Sequence, residues 1–172
     1  MSLVKRGLCF YHMPSINFRW HGENVSTTEV EGIVSSILDL KTTTAYGVKI
    51  PNMDGRAGMV AIVVENESEI DFERLRKGVV DQLPNYARPL FVRLLKDAIM
   101  TSKIILLNVQ EECISNVIIL GTFKLQKNLL QEEGFNPAKI EDPMFFLDTK
   151  AGSYVRLGEE LYENIVSGAV RL

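Results

Sequence analysis

Residues 42–65 read TTTAYGVKIPNMDGRAGMVAIVVE, two apolar, β-branched runs on either side of PNMDGR. Threonine, tyrosine, valine and isoleucine favour strands, whereas Pro51, Asn52, Asp54 and Gly55 crowd a turn into the six residues between them. The pair predicts a β-hairpin with a connection longer than two residues. Its surroundings extend the pattern. Upstream, STTEVEGIVSSIL (residues 26–38) places Val30, Ile33, Val34, Ile37 and Leu38 on one helical face, and Ser26 with Glu29 forms a candidate capping box. Downstream, DFERLRKGVVDQLP (71–84) repeats Phe72, Leu75, Val79 and Leu83 at helical spacing until Pro84 ends the run. RPLFVRLL (88–95) then predicts a third strand. Helix, strand, strand, helix, strand, helix predicts a small α+β domain: an antiparallel hairpin within a three-stranded sheet, flanked by helices.

The last of those helices lies in GTFKLQKNLLQEEGFNP, residues 121–137. Leu125, Leu129 and Leu130 give it an apolar side, Gly134 is a natural C-terminal cap and Pro137 prevents continuation. Lys124 stands in its first turn, where the macrodipole already presents positive charge. A lysine there serves either as an ordinary solvated side chain or as the partner of an anion. The tail, MFFLDTKAGSYVRLGEELYENIVSGAV (144–170), predicts an extended segment, a turn at Ala151 and Gly152, and a short helix aligning Leu157, Leu161 and Ile165. Tyr86, Arg88 and Pro89 are structural, with Tyr86 expected to pack. Between Lys96 and Leu120 two β-branched runs surround a polar centre, compatible with a hairpin or a helix. Residues 1–17 show no sustained period and form a leader, so the domain is placed at 18–172.

Composition narrows the function. Of 172 residues, 46% are hydrophobic and 24% charged, the balance of a folded domain, and a net charge of -3 with scattered Lys and Arg argues against nucleic acid as a partner. Cys9 and Cys113 lack both CxxC spacing and a nearby His cluster, so neither zinc nor a disulfide framework is expected and a reducing compartment fits. His12 and His21 have no ligand spacing, so no metal site is assigned. No apolar run is long enough to cross a bilayer, and Lys5 and Arg6 precede a stretch too short and polar for a signal peptide.

Three ordered stretches carry a family resemblance: FRWHGENVSTTEVEGIV (18–34), LPNYARPLFVRLL (83–95), and GTFKLQK (121–127) followed by EGFNPAKIEDPMFFLD (133–148). Together with the ending SGAVRL (167–172), they resemble the C-terminal domain of fatty acid transport proteins, the very-long-chain acyl-CoA synthetases of the adenylate-forming superfamily. The resemblance covers residues 18–95 and 121–172. It implies a small C-terminal lid that alternates between two orientations on a large N-terminal adenylation domain, which binds ATP with Mg2+ and the fatty acid. One orientation makes acyl-adenylate; the other transfers the acyl group to CoA. It also implies membrane association for the full-length protein, at the endoplasmic reticulum, plasma membrane or peroxisome, with this domain on the cytosolic side; the chain alone is expected to be cytoplasmic.

Carried over residue by residue, the Lys of the family's Gly-Thr-Phe-Lys motif falls on Lys124. The resemblance implies that it contacts the fatty-acid carboxylate and the ATP α-phosphate. A flexible point charge with three donors suits the joining of two anionic reactants. Gly22, Glu23 and Asn24 match the segment that faces CoA in the thioester-forming orientation, where a glycine admits the pantetheine arm closely; the other reading is a turn before the capped helix, with Glu23 a surface carboxylate. Arg56 is read either as a contact to nucleotide or the other domain, or as a solvated turn arginine.

The chain also departs from the family. YHMPSIN (11–17) stands where relatives carry an Asp-Arg-x-Gly-Asp hinge, His21 stands where they usually carry lysine, and Leu120 where they carry threonine. Residues 98–119 are an insert, consistent with an aberrant splice form or gene-model error, and their TSKI places Lys103 as a decoy for the active lysine. Without the adenylation domain the isolated chain is expected to be inactive. A rival reading is a non-catalytic interaction or lipid-associated module derived from the same domain.

Overall fold

A computed structural model of the chain describes residues 17–39, 42–96, 122–170 and 172, with only the backbone of 122–126. Residues 1–16 of the leader and the insert 98–119, with Lys103 and both cysteines, lie outside the described residues. The strands are β1 (Asn17–Trp20), β2 (Glu23–Ser26), β3 (Thr43–Val48), β4 (Ala57–Val63), β5 (Phe91–Leu95), β6 (Met144–Asp148) and β7 (Ser153–Arg156). The helices are α1 (Thr27–Leu38), α2 (Phe72–Gln82), α3 (Thr122–Glu133) and α4 (Glu159–Val166).

The expected hairpin is β3 and β4, antiparallel, with Tyr46 opposite Met59 and Gly47 opposite Gly58. Helix α2 carries the chain from β4 to β5 over a length that allows parallel pairing, and β5 lies parallel to β4. The tail adds β6 and β7, giving a five-stranded mixed sheet in the order β3-β4-β5-β6-β7. β4 is buried on both faces along nearly its whole length, which is why its sequence is continuously apolar rather than alternating.

Helices α1 and α2 pack on one another and bring Val30, Val34 and Ile37 together with Leu75 and Val79 in the core. Ser26 Oγ accepts the Glu29 amide hydrogen at 3.4 Å, so α1 starts at the expected cap, and Asp71 Oδ1 caps α2 by accepting that of Arg74 at 2.9 Å. Gly134, with φ of +72°, ends α3 and donates to the Leu130 carbonyl at 3.2 Å.

The tail extends the expected three-stranded sheet to five strands, and two further features differ from expectation. The segment before α1 is a second hairpin, β1 with β2, whose four-residue strands are too short to show a period. Its turn is His21-Gly22, with φ of +50° and +84°, the double positive φ of a tight two-residue hairpin loop. Tyr86, expected to pack, is exposed; its neighbour Ala87 is buried instead.

Candidate functional site

The β1–β2 hairpin is held against the sheet by its inward residues. Phe18 and Trp20 are buried, whereas Arg19 and the turn residues face outward. The Arg56 amide donates to the Arg19 carbonyl at 2.7 Å, and Trp20 forms a bridge to Gly55, so the β3–β4 turn backs onto β1. Gly22, Glu23 and Asn24 are all exposed, Glu23 on the Trp20 side of the ladder and Asn24 on the Arg19 side. A β-carbon added at Gly22 would meet nothing within 4 Å, and the positive φ alone accounts for glycine in the fold. Glu23 borders a groove of about 840 Å³ whose wall also includes Trp20, Arg76, Tyr86 and Lys150.

Arg56 is half-buried. Its Nη1 donates to the Gly47 carbonyl at 3.3 Å, folding the side chain back over β3 beside a separate groove of about 810 Å³ that also touches Arg19 and Lys49. Glu23 and Arg56 thus flank the same hairpin without sharing a groove.

Lys124 lies in the first turn of α3, as the sequence predicts. Three residues on, Lys127 is fully committed. Its Nζ stands 2.7 Å from Glu31 Oε1 and donates to Thr27 Oγ1 at 3.2 Å. The same Glu31 oxygen accepts the Ala45 amide hydrogen at 2.8 Å, tying α3 to α1 and to β3 at once. Because Thr27 follows Ser26, the last residue of β2, this anchor of α3 sits at the foot of the hairpin that bears Gly22.

The other end of α3 is anchored through Arg93, a buried arginine in β5. Its Nε and Nη2 donate to Asp142 Oδ2 at 2.9 and 2.6 Å, and its Nη1 donates to Glu133, the last residue of α3. Tyr46 is buried beside this cluster, and burial raises its hydroxyl pKa well above the usual tyrosine value. Sequence reading passed over Arg93, Glu31 and Asp142. The one available signal was a lone cation inside the apolar run FVRLL.

Among the described residues, no group of three or more His, Cys, Asp or Glu stands close enough to hold a metal ion, and no helix is long and apolar enough to cross a membrane.

No family model matches the chain. Long-chain fatty acid transport protein 1 of Homo sapiens is 43% identical over 155 residues, 90% of this chain and 21% of that protein. Long-chain fatty acid transport protein 6 of Mus musculus is 40% identical over 155 residues, again 90% of this chain and 22% of that protein. The chain spans about a fifth of the length of the relatives it matches. Among solved structures, the amide bond synthetase McbA from Marinactinospora thermotolerans is similar at 28% identity and a TM-score of 0.40, over 47% of this chain and 16% of that one. With two-fifths of its residues identical across nine-tenths of its length, the chain belongs to the long-chain fatty acid transport protein family and corresponds to its C-terminal domain.

Proposed function

We propose that this chain is the catalytic lid of an ATP-dependent long-chain or very-long-chain fatty acid:CoA ligase, acting on a large N-terminal adenylation domain and linked to fatty-acid uptake at membranes. The observation that carries the reading is the state of the two neighbouring lysines in α3. Lys127 is neutralised by Glu31, whereas Lys124 occupies the helix's first turn, where backbone amides already favour an anion.

In the first half-reaction a carboxylate oxygen of the fatty acid attacks the α-phosphorus of ATP, the bond to the pyrophosphate oxygen breaks, and pyrophosphate leaves. The Lys124 ammonium serves the carboxylate and the α-phosphate together and stabilises the charge on the pentavalent transition state. In the second half-reaction the CoA thiol sulfur attacks the acyl carbonyl, the thiol proton is lost, and AMP leaves with the bonding pair. Gly22, Glu23 and Asn24 form the face turned to CoA in that step, and Arg56 supports the hairpin as a contact to nucleotide or to the adenylation domain. Mg2+ accompanying ATP belongs to the larger domain.

The experiment is a fusion that supplies an adenylation domain and hinge from a relative, assayed by ATP-pyrophosphate exchange with palmitate. Lys124→Ala should lower exchange by roughly 10²- to 10³-fold, the scale of removing one preorganised electrostatic donor. Unchanged exchange in Lys124→Ala, with loss in Lys103→Ala, would overturn the assignment.

A further inference from the structure

Helix α3 is fastened at two places by ion pairs on different supports. Near its middle, Lys127 joins Glu31 of α1, with side chains only 18% and 22% exposed, and Glu31 is itself held by the β3 amide of Ala45. At its end, Glu133 joins Arg93 of β5. β3 is one of the two edge strands of the five-stranded sheet, and Glu31 takes up one of its amides while holding Lys127. Two fastenings six residues apart fix both the rotation of α3 about its axis and its position along it.

We propose that Lys127 and Glu31 are positioning residues that set where the first turn of α3 stands relative to the β1–β2 hairpin. This rests on the reading of Lys124 given above, because the first turn matters to the reaction through that residue. A half-buried ion pair is a poor source of net stability, since desolvation offsets most of its attraction, but a directed contact of this kind fixes geometry. The route is short: the hairpin ends at Ser26, Ser26 caps α1, Thr27 and Glu31 of α1 both hold Lys127, and Lys124 precedes Lys127 by three residues. The candidate faces for the two half-reactions therefore move as one body.

The test begins with amide hydrogen exchange on the 172-residue chain. Lys127→Met and Glu31→Gln, the latter keeping an acceptor for the Ala45 amide, should speed exchange over residues 125–130 about tenfold, with β4 and β5 unchanged and Lys127→Arg restoring protection. In the adenylation-competent fusion, Lys127→Met should lower kcat for adenylation about tenfold at unchanged KM for ATP, while acyl transfer from preformed adenylate keeps its rate. Unaltered exchange in Lys127→Met, no restoration by Lys127→Arg, or equal loss in both half-reactions would overturn the proposal. If Lys124→Ala leaves adenylation intact while α3 exchange still responds to Lys127→Met, the catalytic reading of Lys124 falls and the fastening of the helix stands.

Discussion

Phe18 lies directly against Gly47: a β-carbon added to that glycine would stand 2.7 Å from the Phe18 Cβ and 2.8 Å from the Arg56 Cβ. Gly47 pairs across the ladder with Gly58, where an added β-carbon would come 3.2 Å from the Phe18 Cζ. The ring spans this glycine pair, and the hairpin docks through it. Gly47→Ala should destabilise the chain by about 1–3 kcal/mol, the range for overpacking a filled core, and shift Trp20 fluorescence to the red as the hairpin lifts. Gly58→Ala should cost less. Urea unfolding followed at Trp20 gives both numbers, and a parental midpoint for Gly47→Ala would refute the docking.

Arg93 supplies the second prediction. Removing its guanidinium leaves the Glu133 and Asp142 carboxylates without their shared partner, while each remains about a third exposed. Breaking a buried pair costs about 3–5 kcal/mol, and partial solvation of the acids lowers the expected loss for Arg93→Met to about 2–3 kcal/mol. Neutralising the acids as well, in Arg93→Met with Glu133→Gln and Asp142→Asn, should recover part of it. Thermal unfolding of the single and triple variants decides; no recovery would mean that Arg93 acts through packing alone.

Local pattern fixed most elements. The β3–β4 hairpin, the capped start of α1, the helical face and Pro84 stop of α2, the third strand and the Gly134 stop all declared themselves within a few residues of sequence. What stayed hidden is long-range. Nothing near Lys127 announces Glu31, 96 positions away, and nothing in FVRLL names Glu133 or Asp142 as partners of its arginine. The β1–β2 hairpin was hidden for a different reason: its turn is His-Gly rather than Asn-Gly, so the double positive φ had no familiar signature. Lys124 was legible through its place at a helix start and through family motifs, whereas the commitment of Lys127 needed the fold.

Alkaline pH should unfold the chain through its buried tyrosines. Burial raises the pKa of both Tyr46 and Tyr154 well above the ordinary 10.0, and the Tyr154 hydroxyl also donates to the Pro89 carbonyl at 2.9 Å. Below the unfolded-state pKa both states are protonated and the contribution is fully present. Above it the unfolded chain loses protons that the folded chain retains, so stability falls by about 1.4 kcal/mol per pH unit per tyrosine until the folded pKa is passed. Urea midpoints from pH 9 to pH 11.5 should decline steeply above pH 10. Tyr154→Phe should make that decline shallower while costing about 1 kcal/mol at neutral pH for the lost hydrogen bond. An identical slope in Tyr154→Phe would remove Tyr154 from the account.

Gly22 separates the needs of the turn from the needs of chemistry. Its φ of +84° strains any L side chain, yet the space beyond it is open, so Gly22→Ala should cost about 1–2 kcal/mol through backbone strain alone. Asparagine tolerates this region, and Gly22→Asn should fold with a smaller loss while placing a side chain on the face assigned to CoA. In the fusion enzyme, Gly22→Asn should therefore leave palmitate-dependent ATP-pyrophosphate exchange near the parental rate and slow acyl transfer from preformed adenylate about tenfold or more, because the added atoms obstruct a close approach that only glycine permits. Lys124→Ala should show the reverse pattern, with adenylation lost and transfer kept. Misfolding would depress both steps in both variants. If Gly22→Asn transfers acyl groups at the parental rate, the glycine serves only the hairpin turn, and the CoA-facing assignment of Gly22, Glu23 and Asn24 fails with it.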